Sequence, residues 1–167
     1  MSNYQNESQV YGCRSASFPG VAITVIRVAS KADTGQITGL YRKLYEGDEG
    51  LTFYRSVANP ARFMAASKVF VAIESGRIVG FCWCVYYEHI RNKGSGYIEE
   101  LFVERRYRRS GIGSALVREG LRFLKREGAI VVFVFTGPHS TAAKRFYRAV
   151  GFRRMKSPVF VMAPLRA

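Results

Sequence analysis

The stretch Tyr97–Gly113, which reads YIEELFVERRYRRSGIG, decides the fold of this chain. Its first half alternates like a β-strand, its middle is basic, and it ends in a Gly-x-Gly turn that opens into an amphipathic helix. The first N–H groups of a helix have no partner within the helix and point outward with the positive end of its dipole. Glycine lets a ligand approach that backbone closely, so the stretch predicts a phosphate-holding turn between a strand and a helix.

The composition indicates a folded protein. The chain has 167 residues, of which 48% are hydrophobic and 14% aromatic, so it suits one domain with a packed core rather than disorder. Residues 1–20 are rich in Ser, Asn, Gln and Gly and lack periodicity. We expect them to form a flexible tail, and residues 21–167 to form a single domain.

The charge is strongly positive: 26 basic against 12 acidic residues give a net charge of +14. Such a field favours anionic partners such as nucleic acid, a membrane surface or a polyphosphate cofactor, although a solvated basic surface explains it equally well. The three cysteines are too few and too widely spaced for a disulfide framework, and we expect Cys82 and Cys84 in the core. A closed zinc site needs about four ligands, so no metal site is predicted.

The N-terminus is polar, and no apolar run approaches the roughly 18 residues of a membrane span. We therefore expect a cytoplasmic protein with no membrane partner.

Hydrophobic periodicity predicts a mixed α/β fold in the order β-α-α-β-β-β-α-β-α-β-β. The strands are Val21–Val28, Val69–Glu74, Arg77–Tyr87, one from Tyr97, Ala129–Phe135 and two short ones around Lys156–Pro158; the helices run over 30–47, 59–67, 113–128 and 140–151. The run Ala129–Phe135 is continuously apolar and predicts a fully buried strand. The result is a mostly antiparallel sheet flanked by helices.

An acidic cluster stands out in this basic chain. Glu46, Asp48 and Glu49 follow the first predicted helix. A solvated loop explains them, but carboxylates also attract ammonium groups over about a Debye length. The cluster is therefore a candidate binding surface for a cationic amine.

Two motifs resemble one family. In Val103–Ala115, Arg108, Gly111 and Gly113 fill the Arg/Gln-x-x-Gly-x-Gly/Ala signature of the GCN5-related N-acetyltransferase (GNAT) superfamily. About thirty residues on, Ser140–Phe152 is similar to the family's second motif, with Ser140 where asparagine is common. Two motifs in register with an independently read topology are far more specific than one glycine pattern. The resemblance implies the GNAT fold.

The resemblance also implies acetyl-CoA as cofactor, with direct attack of an amine and no acyl-enzyme. Main-chain groups of the β-strand would pair with the pantetheine arm, and amides of the glycine turn would cradle the pyrophosphate. The implied cofactor-binding residues are Leu101, Phe102, Val103, Arg108, Arg109, Ser110, Gly111, Ile112, Gly113, Ser114 and Ser140. Arg105 and Arg106 are equally well explained as a solvated turn.

Three residues are candidates for proton transfer. An alkylammonium must lose its proton before it attacks, and Glu99 and Glu100 are the carboxylates that accept it directly or through water. Strand alternation places them on opposite faces, Glu99 with Tyr97 and Leu101, and Glu100 with Ile98 and Phe102. The family pattern favours Glu99, although a carboxylate with no catalytic role is the alternative. Tyr147 matches the tyrosine that protonates the departing thiolate, unless it is a core aromatic.

The sequence thus predicts an N-acetyltransferase that acts on a primary amine of a polyamine, an aminoglycoside or a peptide. The large positive net charge leaves a substrate associated with nucleic acid as an alternative. Two alternatives remain: a basic nucleic-acid-binding protein, or an acyl-CoA-binding module, each on the same fold without turnover. The sequence does not decide between a monomer and a homodimer.

Overall fold

The computed structural model describes residues 24–46, 67–89, 93–137 and 139–155. The elements are β1 (Val25–Val28), α1 (Thr34–Leu44), β2 (Lys68–Glu74), β3 (Arg77–Glu88), β4 (Gly94–Val103), α2 (Ile112–Arg126), β5 (Ala129–Val134) and α3 (Thr141–Ala149), with 3-10 turns at Lys31–Asp33 and Arg105–Tyr107. The helix predicted after residue 59 and the two predicted C-terminal strands lie outside the described residues.

The sheet has five strands in the order β1-β2-β3-β4-β5. Neighbours are antiparallel except β4 and β5, which are parallel. Helix α2 makes the crossover that two parallel neighbours require. The predicted mixed, mostly antiparallel sheet flanked by helices is confirmed.

The two faces of the sheet have separate cores. On one face, α1 contributes a buried cluster with side chains of β2, β3 and β4: Ile37, Leu40, Tyr41, Tyr45, Val69, Val71, Ile78, Phe81 and Phe102. On the other face, α2 packs against the fully buried Cys82 and Cys84, which confirms them as core residues. Gly120 allows this close packing, because a Cβ there would lie 2.6 Å from Cys84 Sγ.

Strand β5 is less buried than its sequence predicts. Ile130 and Val131 are 72% and 41% exposed, so the expectation of a fully buried strand is wrong. Within the described residues β5 pairs only with β4, and the register skips Ile130, which leaves this side chain out of the ladder. Such a bulge turns an apolar side chain away from the packed face.

The chain divides into two compact units, Met1–Phe135 and Thr136–Ala167. The first contains the sheet with α1 and α2, and the second contains α3. Among the described residues, no helix has the length and apolar character needed to span a membrane.

Candidate active site

The glycine turn predicted to hold a phosphate lies between β4 and α2. Gly111 occupies the N-cap position of α2 with φ of 84°. Residues other than glycine rarely adopt this left-handed backbone conformation. The amide of Ala115 donates to the Gly111 carbonyl at 3.0 Å. The amides of Ile112, Gly113 and Ser114 precede that bond and have no acceptor within the helix. This arrangement fits a pyrophosphate at the start of α2.

The residues before Gly111 are held by local hydrogen bonds. The Ser110 hydroxyl donates to the Tyr107 carbonyl at 2.6 Å, and the Tyr107 amide donates to the Glu104 carbonyl at 2.9 Å. Arg109 has φ of 65°, a conformation that costs a non-glycine residue about 1–2 kcal/mol. Backbone strain of this kind often occurs at ligand-binding turns.

Two arginines of the turn have defined contacts. Arg108 donates from Nε to the Val103 carbonyl at 2.8 Å, and its guanidinium lies 5.7 Å from the Phe102 ring centroid. Arg106 lies 3.7 Å from a Glu104 carboxylate oxygen. Both side chains are exposed. The Arg108 guanidinium is oriented through Nε, and within the described ranges its terminal nitrogens are placed to bind an anion such as a phosphate.

The end of β4 has one open edge. Its pairing with β5 ends where Ile98 lies opposite Val134, whereas its pairing with β3 continues to Val103. Within the described residues, Leu101, Phe102 and Val103 therefore pair with a strand on one side only. Unpaired N–H and C=O groups on such an edge can bind an extended chain, which fits the predicted role towards pantetheine.

A β-bulge separates the two glutamates. Ile98 lies opposite Cys84 and Glu100 opposite Trp83, so Glu99 is the extra residue. Cys84 packs towards α2, whereas Trp83 belongs to the α1 face. The expectation from strand alternation that Ile98 and Glu100 share a face is wrong, because one extra residue reverses the phase of the strand.

The two glutamates differ in environment. Glu100 is partly buried and accepts a hydrogen bond from the Tyr45 hydroxyl. Burial raises the pKa of Glu100 to about 7, and no Lys or Arg of the described ranges forms an ion pair with it. Taken as a whole, the residue Glu99 is exposed. Its carboxylate is nevertheless partly desolvated, which raises its pKa above the ordinary value. Two neighbouring carboxylates whose pKa values are raised by desolvation suit proton transfer.

A third glutamate of this region is a structural ion-pair partner. Glu104 is buried, and Lys43 of α1 donates to it at 2.6 Å. The hydrogen bond from Lys43 lowers the pKa of Glu104. Lys43 and Tyr45 therefore connect the C-terminal end of α1 to Glu100 in β4 and to Glu104 just after it. Sequence reasoning missed these contacts, since partners 61 and 55 residues apart leave no local pattern.

The remaining candidates lie elsewhere. Glu46 is exposed just after α1, and Asp48 and Glu49 lie outside the described residues. In the second unit, Ser140 precedes α3, and its amide donates to the Gly137 carbonyl at 3.1 Å. Tyr147 of α3 is partly buried, and its ring centroid lies 5.1 and 5.6 Å from those of its neighbours, Phe146 and Phe152.

Residues 35–152 match the acetyltransferase (GNAT) family. Because the match covers more than half of the chain, this protein belongs to that family. It is 29% identical over 134 residues to an uncharacterized N-acetyltransferase of Methanocaldococcus jannaschii, covering 76% of this chain and 59% of that protein. It is 31% identical over 139 residues to an uncharacterized N-acetyltransferase of Archaeoglobus fulgidus, covering 79% of this chain and 95% of that protein.

The fold resembles that of an aminoglycoside N-acetyltransferase solved with CoA, with a TM-score of 0.74. The two chains are 19% identical, and the match covers 89% of this chain and 100% of the other. Identity this low shows the fold alone. Together, the family and the named relatives support the predicted acetyl-CoA-dependent N-acetyltransferase with CoA as its cofactor. The cytoplasmic location stays a prediction.

Within the described ranges, no three His, Cys, Asp or Glu residues form a group that could hold a metal ion.

Proposed function

We propose that this protein transfers an acetyl group from acetyl-CoA directly to a primary amine within a ternary complex. The observation that carries the proposal is the bulge at Glu99. It presents two carboxylates of raised pKa on the strand whose next residues have an open edge and lead into the glycine turn. Proton acceptors and a cofactor cradle therefore lie on one continuous segment.

The chain's own groups would divide the work. Bound acetyl-CoA supplies the acetyl group as a thioester. The amides of Ile112, Gly113 and Ser114 bind phosphate oxygens, and the open edge at Leu101 and its neighbours orients the pantetheine arm.

Proton transfer is assigned to three side chains. An alkylammonium has a pKa of about 10.4 and must lose a proton before the resulting amine can attack. Glu99 or Glu100 accepts that proton at a carboxylate oxygen, directly or through water. Tyr147 holds the phenolic proton that the departing thiolate takes up. Direct transfer needs no nucleophilic cysteine, and Cys82 and Cys84 are buried in the core.

We propose a cationic amine as substrate, such as a polyamine, an aminoglycoside or a peptidyl amine. Glu99, Glu100 and the exposed Glu46 supply local negative charge, and a nearby field outweighs distant exposed cations that salt screens beyond about 8 Å. A protein of similar fold is named for aminoglycosides. The predicted contributions of Asp48 and Glu49 belong to the same proposal.

A substrate panel tests the function. The protein is incubated with acetyl-CoA and polyamines, aminoglycosides, basic peptides or ribosomal extract, and free thiol and product mass are followed. We expect stoichiometric thiol release with a mass increase of one acetyl group on at least one amine. CoA binding without turnover on every amine would instead support an acyl-CoA-binding module.

The role of Tyr147 is tested by Tyr147→Phe, which removes only the phenolic hydroxyl. We expect acetyl transfer to slow by roughly 10² or more with near-normal CoA binding, because general acid catalysis is lost. Tyr87→Phe is the matched control, since Tyr87 is 52% exposed and has no proposed role. Equal activity of the two variants would exclude Tyr147 as the acid.

A nucleic-acid-associated substrate is a second candidate, favoured by the distribution of charge. Every Lys and Arg of residues 105–126 is exposed, and Arg118, Arg122 and Arg126 recur on one face of α2. Phosphate contacts make nucleic-acid binding fall steeply with salt. The charge-reversed R118E/R122E/R126E variant should lose RNA binding yet acetylate a small amine normally. Salt-independent binding, or equal RNA binding by the variant, would contradict this candidate.

A further inference from the structure

Tyr45 contacts a candidate catalytic carboxylate, although in the sequence it is only the residue before the acidic cluster that begins at Glu46. It follows the last residue of α1, is buried, and donates its hydroxyl hydrogen bond to Glu100 Oε1. The contact joins α1 to the middle of β4 across 55 residues. Glu100 is therefore held by a group from a different layer of the fold.

The ring of Tyr45 is fixed by an aromatic cluster. Its centroid lies 5.1 Å from that of Tyr41, which lies 6.4 Å from Phe81. Phe81 in turn lies 6.3 Å from Phe102, two residues after Glu100 on β4. These separations are typical of favourable aromatic pairs. Because the core fixes both ends of the contact, the hydroxyl position does not depend on a solvent-exposed loop.

We propose that Tyr45 is a positioning residue whose hydroxyl holds the Glu100 carboxylate in place to receive the proton of the attacking amine. This inference rests on the proposed function. The bond uses Oε1 and leaves Oε2 for the proton. It also restricts the rotation of a carboxylate that would otherwise have several rotamers, and fixed geometry is a large part of catalytic efficiency.

The contact also affects the charge of Glu100. A hydroxyl donor stabilises the ionised carboxylate and opposes the desolvation that raises its pKa. Three groups lie next to Glu100 in the described structure: Tyr45, which follows α1, Trp83 from β3, and the neighbouring Glu99 on β4. Loss of the hydroxyl should therefore raise the pKa of Glu100 further.

The experiment compares Tyr45→Phe with the wild-type chain by carbon-13 NMR titration of glutamate side-chain carboxyls, with Glu100→Gln to assign the signal. We expect the Glu100 midpoint to rise by about one pH unit in Tyr45→Phe. Tyr86→Phe is the matched control, because the Tyr86 hydroxyl is buried and has no hydrogen-bond partner among the residues that the structure describes. An unchanged Glu100 midpoint in Tyr45→Phe would overturn the proposal.

Kinetics supply the second readout. The acid limb of the kcat profile against pH should move upward in Tyr45→Phe by the same amount, with an unchanged Kd for CoA, and should not move in Tyr86→Phe. A titration shift without a shift of the acid limb would overturn the positioning role. If the wild-type chain acetylates no amine, the proposed function fails, while the titration still decides whether Tyr45 holds Glu100.

Discussion

The cofactor side and the amine side of this candidate site are built in opposite ways. The glycine turn is exposed, cationic and held by contacts within five residues, such as Arg108 to Val103 and Ser110 to Tyr107. The amine side is anionic and partly buried, and Tyr45 reaches Glu100 from 55 residues away. The difference follows from the chemistry required of each side.

A phosphate binds to backbone amides and cations that are exposed to solvent, so a short local turn is sufficient to hold it. A general base works best when the pKa of its carboxylate is near neutral pH, and removal from water or a neighbouring like charge raises the pKa in that direction. Desolvation requires several layers of the fold to meet. The comparison predicts that substitutions on the amine side change kcat, whereas those in the turn change cofactor affinity.

The largest effect is expected from removing the base. Glu100→Gln and Glu99→Gln each replace a carboxylate by an amide of the same shape. The substitution at the true base should slow acetyl transfer by roughly 10² or more at saturating acetyl-CoA, and the other should change it only a few-fold. Steady-state kinetics measure the rate of acetyl transfer, and calorimetry measures the affinity for CoA. Full activity in both variants would contradict the proposal that one of these two glutamates is the general base.

The second effect concerns stability against pH. Because burial raises the pKa of Glu100, the folded state binds more protons than the unfolded state between about pH 4.5 and about pH 7. Stability should therefore fall as the pH rises through this window, by on the order of 2–3 kcal/mol. Glu100→Gln should lack this fall and be more stable than the wild-type chain above the window.

Urea unfolding at about pH 5 and about pH 8 measures this difference. Glu127→Gln is the control, because Glu127 is exposed at the end of α2. An equal pH dependence in Glu100→Gln and the wild-type chain would show that Glu100 is not desolvated. The combination of lower activity with higher stability is the expected mark of a functional residue.

A smaller effect is expected in the turn. Gly111→Ala forces alanine into φ of 84°, although its Cβ would meet nothing within 4 Å. The penalty of about 1–2 kcal/mol is therefore conformational, and we expect the Kd for CoA to rise about tenfold with little change in kcat. Gly35→Ala is the control, since this α1 glycine also has open space. A large fall in kcat at saturating acetyl-CoA would contradict the assignment of this turn to cofactor binding.

The smallest effect is expected at Arg109. Glycine at this position relieves the positive φ but removes a cation. Arg109→Gly should be about 1 kcal/mol more stable than Arg105→Gly, an exposed arginine of the same turn without that strain. The Kd for CoA should rise a few-fold in Arg109→Gly. Thermal unfolding and calorimetry measure the two quantities, and equal stability of the variants would argue against strain.

Local signals predicted the order of the described strands and helices along the chain and the helix that begins beside Gly111, because each depends on neighbouring residues. The same reasoning failed at Glu99, since a bulge arises from the register between two strands and not from the composition of one. It failed at Ile130 for the same reason.

The sequence by itself determined the family, the glycine turn and the presence of two adjacent carboxylates, since periodicity and short motifs encode local backbone geometry. Only the tertiary structure decided which face Glu100 occupies, that Tyr45 holds it, and that Glu104 is paired with Lys43 rather than poised for chemistry. Proton affinity depends on surroundings assembled from distant parts of the chain, and identical side chains acquire different pKa values there.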